Sequence, residues 1–401
     1  MEEGFMSGVM SIVERLCSVV PDRRPGSAGN SETVDLVARQ IQDAGWDVSL
    51  PEFDCLDWKA GEASVEVGEA STRVIPSPYG LGVDAVGPIR VVTRSDDLDR
   101  PDLQGAVVVV AGELATEPMT PKSYPFYTSD EHTAIVAAIE RARPVAVIAV
   151  TGKHPGLCGA LDPYPWIEDG DFDIPTAAVR PADAGRLLES AGKAARVTID
   201  ATRIPSTARN IVARRGRQDH RVTVCAHIDT KPGTPGAVDN ATGVAVLALL
   251  AERLSEHQEL PVGVELLAVN GEDHFAGPGE VAWLADNEGE LDFIDLFINI
   301  DGAGYRRGRT AFSLYNVDDQ RSSSIRGKLE DVADLVEGPP WYQSDHAIFA
   351  MQGKPALAFT TEFLDEMLNE LFHADTDTAD QVAPERIESL AAALEHLITN
   401  W

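Results

Sequence analysis

Residues 226–243, AHIDTKPGTPGAVDNATG, gather His227, Asp229 and Asp239 around a loop of glycine, proline and threonine. Imidazole and carboxylate so combined are donors for a divalent cation of borderline softness. The same types recur downstream: Glu272 and Asp273 in NGEDHF, Asp301 in INIDGAG, His373 in LFHADTDTAD. Singly each means little. An H-x-D triplet is expected about once by chance in so acidic a chain, and a second does occur, His373 to Asp375. Paired acids usually sit on a solvated face, and Asp301 alone fits a turn or a helix cap. Together they offer two imidazoles and three carboxylates, with Asp229 and Glu272 adjacent. That set suits two divalent cations, zinc first, with cobalt or manganese as alternatives.

The elements that must position these residues follow from the hydrophobic pattern. ARNIVARR, HRVTVCAHID, PVGVELLAVNGED, DLFINIDGAG and KPALAFTTE read as strands. Helical spacing appears between them at Thr242–His257, around Pro278–Asn287, and at Pro384–Thr399. Alternating strands and helices predict an α/β fold: a mixed, largely parallel central sheet with helices on both faces. Functional residues of such sheets collect beyond the carboxyl ends of the strands. His227, Asp229, Glu272, Asp273, Asp301 and His373 all follow strand ends, which accident explains poorly. Upstream, residues 1–46 read as two helices, the second from Ser31 to Gly45 after the turn RPGSAGN. From about Leu50 to Arg203 the texture changes to short strands, AVVVVAG and PVAVIAVTG among them, and this stretch reads as an inserted, smaller, β-rich α/β domain.

The 401 residues suffice for two or three domains. There are 65 acidic residues against 33 basic ones, a net charge of −32, and only 7 of the bases are lysine. Such a surface repels nucleic acid and anionic membranes, and it fits a high-salt habitat, where screening relieves self-repulsion. No run of about 18 apolar residues occurs, so no membrane-spanning segment is expected. Glu2 and Glu3 stand where a secretory leader is basic. Val9, Ile12, Val13 and Leu16 give the first helix an apolar face instead. Cys17, Cys55, Cys158 and Cys225 are scattered without a paired spacing, which predicts reduced thiols and a cytoplasmic location.

CAHIDTKPGTPGAVDNATGVA, NGEDHFAGPGE, INIDGAG, SDHAIF and LFHADTDTAD resemble, in order and spacing, the successive motifs of the di-zinc aminopeptidases of peptidase family M28, across Arg209–Val382. RRPGSAGN resembles that family's opening motif. The inserted region, with DLQGAVVVVAG, ARPVAVIAVTG and IPTAAV, is similar to a protease-associated domain. The resemblance implies a zinc-peptidase catalytic domain of residues 1–50 and 206–401, with residues 51–205 as a lid domain. It implies that His227 and Asp301 hold one metal, Asp273 and His373 the other, and that Asp239 bridges them. Glu272 would be the general base, and Asp229 would orient His227 through its second ring nitrogen. Two positions depart from the pattern: Asp273 replaces a glutamate, and Phe372 a frequent tyrosine whose hydroxyl could serve an oxyanion. His346 or Tyr342 is expected to substitute. Trp341 and Tyr342 are candidates for a substrate wall, with core packing as the alternative. Arg306, Arg307 and Arg309 could meet a substrate carboxylate or form a solvated loop, and His274 could support the metals.

Peptides are the expected substrates, nucleic acid and membranes are not expected partners, and a homo-oligomer is left open. The leading reading is a metal-dependent aminopeptidase. The alternatives are a carboxypeptidase of the same family, a glutaminyl cyclase-like transferase, and a non-catalytic binding protein on the same scaffold. The chain contains neither GxSxG nor HExxH, so serine hydrolase chemistry and the single-zinc helix motif lack support.

Overall fold

The computed structural model describes residues 2–19 and 22–401, apart from the side chains of residues 2–7 and 19, so those of Glu2 and Glu3 lie outside the described residues. The chain divides into two compact units, residues 1–55 with 207–401, and residues 56–206.

The first unit is built on an eight-stranded mixed sheet. Its order is Asp47–Ser49, Ile211–Arg215, Gly263–Val269, Arg221–His227, Ile294–Ile300, Ala356–Thr361, Thr310–Tyr315 and Leu335–Glu337. The four from Gly263–Val269 to Ala356–Thr361 are parallel, with His227 opposite Val269 and Ile300 opposite Phe359. Arg221–His227 and Gly263–Val269 are buried at every position, so they read as near-continuous apolar runs rather than alternations.

Thr242–Ser255 was expected to bury one stripe. It is buried on nearly all sides, because it lies among the sheet and the helices Ala28–Asp43 and Pro384–Thr399. Ala28–Asp43 begins earlier than its periodicity suggests, since the Ser27 hydroxyl accepts the Asn30 N–H at 3.0 Å and caps it. Half of the expected turn is therefore helix. The helix Asp319–Leu329 and the strands Thr310–Tyr315 and Leu335–Glu337 had no clear sequence signal. That helix buries only Ser322, Ile325 and Leu329, too few apolar positions to show a period.

The second unit is a closed seven-stranded barrel. Its strands are not all short: Glu52–Val67 and Ala194–Arg209 each run 16 residues, half-buried and without a continuous apolar run. Val65, Ile89, Val107, Val109, Ile148 and Val197 belong to one of its cores. The other packs Val108 and Val110 with Ile135, Val136 and Ile139 of the helix Asp130–Ala142. Both units thus combine sheets with helices, a mixed α/β fold.

Candidate metal centre

Three of the four parallel strands deliver most of the candidate ligands at their carboxyl ends. His227 is the last residue of its strand, Asp301 follows Ile300 directly, and Glu272 and Asp273 stand just past Val269. Asp239 is carried by the tight turn Ala237–Ala241, where the helix Thr242–Ser255 begins, and its peptide bond to Asn240 is cis. His373 follows the short helix Leu364–Glu370 with φ at 63°.

The side chains converge. Ligand atoms of His227, Asp239 and Asp301 lie within 4.8 Å of one another, and so do those of Asp239, Asp273 and His373. Asp239 belongs to both groups. Its Oδ1 is 3.1 Å from His227 Nε2, and its Oδ2 is 3.4 Å from His373 Nε2. Asp301 Oδ1 stands 3.7 Å from His227 Nε2, and Asp273 Oδ1 3.0 Å from His373 Nε2. Glu272 joins His227 and Asp273 in a third such group.

Charge is poorly balanced without a cation. Burial raises Asp239, and burial also lifts Glu272 well above the usual carboxylate range. Burial alone would lower both histidines, but Asp239 and Asp301 hold His227 well above its ordinary value. Asp273 and Asp239 likewise bring His373 to about 9. Against its own burial, His373 keeps Asp273 low. Both imidazoles are thus drawn toward their charged form, where a cation's charge fits. Both ring nitrogens of His227, and Asp301 Oδ1, are buried without a well-formed hydrogen bond, an arrangement costly unless something else meets those lone pairs. The donor set and its orphaned atoms fit divalent cations.

The supporting residues are only partly those expected. Asp229 Oδ1 is 3.8 Å from His227 Nδ1, beyond hydrogen-bond length. Its oxygens instead accept the N–H groups of Gly271 at 2.7 Å, Glu272 at 3.3 Å and Asp273 at 3.1 Å. Asp229 therefore fixes the loop of Glu272 and Asp273 first. Asp377 had no assigned role, although it lies four residues after His373. It is fully buried, and its carboxylate accepts the N–H groups of Val238 at 2.8 Å and Asp239 at 3.0 Å. Nothing in the spacing of the acids separates it from Asp375.

One expectation fails, and another resolves to its stated alternative. His346 is fully buried, with Nε2 2.8 Å from the Trp341 carbonyl and Nδ1 3.3 Å from the Asn299 amide. One nitrogen donates and the other accepts, so no donor is left for an oxyanion, and burial lowers the ring to about 4. Trp341 is a core residue packed in a cluster with Trp283, Phe297 and Phe349, not a substrate wall. Tyr342 is 57% exposed, edge-on to Tyr315, and free to line a surface. The Phe372 ring is buried, and its Cζ lies 3.1 Å from where a Cβ on Gly302 would stand.

His274 Nδ1 accepts the Ala276 N–H in its own loop. Arg307 pairs with Glu366 and Glu370, and Arg309 with Glu362, so these two arginines serve the loop around them. Asn240 and Thr242 of the Asn-Ala-Thr sequon are buried, and the Asn240 amide is held by Ile300 and Gly243.

Comparison with known proteins shows what the chain is similar to. Residues 210–398 match the model of peptidase family M28. The probable lipoprotein aminopeptidase LpqL of Mycobacterium tuberculosis is 27% identical over 292 residues. That covers 70% of this chain and 54% of LpqL, so the chain matches about half the length of that relative. The zinc aminopeptidase BSAP of Bacillus subtilis superposes with a TM-score of 0.76 at 18% identity, over 98% of this chain and 95% of that one. For an aminopeptidase from Aneurinibacillus sp. strain AM-1 the values are 0.73, 17%, 98% and 92%. At such identities the superpositions establish a common fold.

Proposed function

We propose that this chain is a peptidase of family M28, a metal-dependent aminopeptidase that removes N-terminal residues from peptides. One observation carries the reading: the two carboxylate oxygens of Asp239 face different histidines, as a carboxylate shared between two cations requires. In this reading His227 and Asp301 hold one cation, Asp273 and His373 the other, and Asp239 bridges them. Two such cations, zinc first, would supply Lewis acidity toward a water and a scissile carbonyl.

The chain's own residues do the rest. Glu272, beside the ligands but outside the two groups that share Asp239, takes the proton of the attacking water and passes it to the leaving amine. Asp229 holds the backbone of that loop, so the base and the ligand Asp273 keep one spacing. Asp377 does the same for Asp239. The aminopeptidase direction rests on the similarity to aminopeptidases. We propose a cytoplasmic location, from the scattered spacing of the four cysteines in the sequence.

A mass-spectrometric time course tests the function, using free and N-acetylated peptides with added zinc or cobalt and a chelator-treated control. Sequential loss of N-terminal residues from free peptides only, abolished by chelator, is the expected outcome. Shortening from the C-terminus would reverse the direction, and no cleavage at all would sink the peptidase reading.

A further inference from the structure

The metal centre is gripped from behind by the segment that opens with RRPGSAGN. Arg23 is only 1% exposed, and backbone carbonyls surround its guanidinium. Nε donates to Ile228 O at 3.1 Å, Nη1 to Pro235 O at 2.7 Å and Leu16 O at 3.1 Å, and Nη2 to Gly236 O at 2.7 Å. Ile228 follows His227, and Gly236 opens the turn that carries Asp239. Arg23 therefore ties together both ends of the loop between two candidate ligands.

Gly236 shows how close that contact is. Its φ is 60°, and a Cβ there would stand 2.7 Å from Arg23 Nη2 and 2.4 Å from Asp239 O. A buried guanidinium is costly unless its charge is met. Burial lowers Arg23, and Cys17, Asp377, Asp239 and Asp229 act against that.

Seven residues on, in the first turn of the helix Ala28–Asp43, Asn30 grips the other loop. Its amide donates to Asn270 Oδ1 at 2.8 Å and accepts from Asn270 Nδ2 at 2.7 Å, a reciprocal pair two residues before Glu272. Asn30 Nδ2 also donates to Arg23 O at 2.8 Å, which locks the two grips to each other. Asn30 is 1% exposed and Asn270 fully buried.

We propose that Arg23 and Asn30 are positioning residues of the metal centre: Arg23 sets the distance between His227 and Asp239, and Asn30 sets the Glu272–Asp273 loop. The proposal rests on the metallopeptidase reading above. A lysine at 23 would keep the charge but lose the planar fork that reaches the four carbonyls. Residues that orient ligands without touching the metal ordinarily govern affinity or activity by about 10- to 100-fold.

The test is a spectroscopic titration of the metal-free full chain with cobalt(II), for the wild type, Arg23→Lys and Asn30→Ala. Melting in chelator and steady-state kinetics on zinc-loaded samples accompany it. Arg23→Lys should weaken both binding steps by about 10- to 100-fold, because Asp239 serves both cations. Asn30→Ala should weaken only one step, the one that uses Asp273. In both variants kcat should fall with KM unchanged. Variants that melt earlier yet keep the wild-type titration and kcat would reduce these residues to scaffolding and overturn the proposal. If Arg23→Lys fails to fold, Asn30→Ala decides alone: one weakened step supports the proposal, two unchanged steps reject it. A wild type that binds no cobalt defeats the metallopeptidase reading itself, and the proposal with it.

Discussion

At the scale of residues, the site asks for charge that the protein does not supply. In the metal-free protein His373 titrates near 9, held there against burial by Asp273 and Asp239. It is therefore protonated at pH 7, whereas a ligating imidazole must be neutral. Zinc binding at pH 7 should release at least one proton per site, and the release should shrink as pH rises through 9. Calorimetry in two buffers of different ionisation enthalpy reads this directly, and identical heats in both would refute it. Glu272→Gln should keep the metals but lower kcat by about a hundred- to ten-thousand-fold, the usual range for a lost general base. Full activity in that variant would remove Glu272 from its role.

At the scale of elements, the rim works because buried helices and strands leave its loops little freedom. Thr242–Ser255 meets the sheet on one side and Pro384–Thr399 on the other, and Glu395 stitches the ends of those helices. It lies 3.0 Å from Arg253 and 2.8 Å from His257. Burial raises Glu395, but His257 and Arg253 outweigh it and hold it below the usual range. A carboxylate lowered on folding adds stability above its unfolded pKa, and that stability is lost as pH falls through the folded value. Glu395→Gln should therefore cost about 1 kcal/mol or less at pH 7, as partly exposed pairs do. The gap to wild type should narrow as pH drops below about 4.3, the ordinary glutamate value. Urea midpoints at pH 7 and in that acid range check it; a constant gap would show that packing, not charge, carries the contact.

For the molecule as a whole, a net charge of −32 places many like charges on one surface. Raising salt from 0.1 to 1 M shortens the screening length from about 10 to about 3 Å. We propose that the acidic surface suits high salt, so the thermal midpoint should climb over that range. A flat or falling midpoint would mean that the local arginine pairs already balance the field. No helix among the described residues is long and apolar enough to cross a membrane.

What could be read from sequence and what could not divide along a physical line. The periodicity of apolar residues marked the strands ending at His227, Val269 and Ile300, because burial on both faces leaves continuous runs. The rule that parallel strands end at one rim then gathered His227, Asp239, Glu272, Asp273, Asp301 and His373 before any coordinate was known. Contacts that join distant stretches left no such trace. Arg23 to Pro235, Asn30 to Asn270 and Asp377 to Asp239 are hydrogen bonds made by loop residues or by a helix's first turn, and polarity there has no period. The same gap misplaced His346, whose type suits a site but whose packing puts it in the core, and left Trp341 open between a substrate wall and the core. Local pattern determined the elements and the donor types; only the tertiary structure decided which polar groups face each other, because hydrogen bonding depends on distance in space and not on separation along the chain.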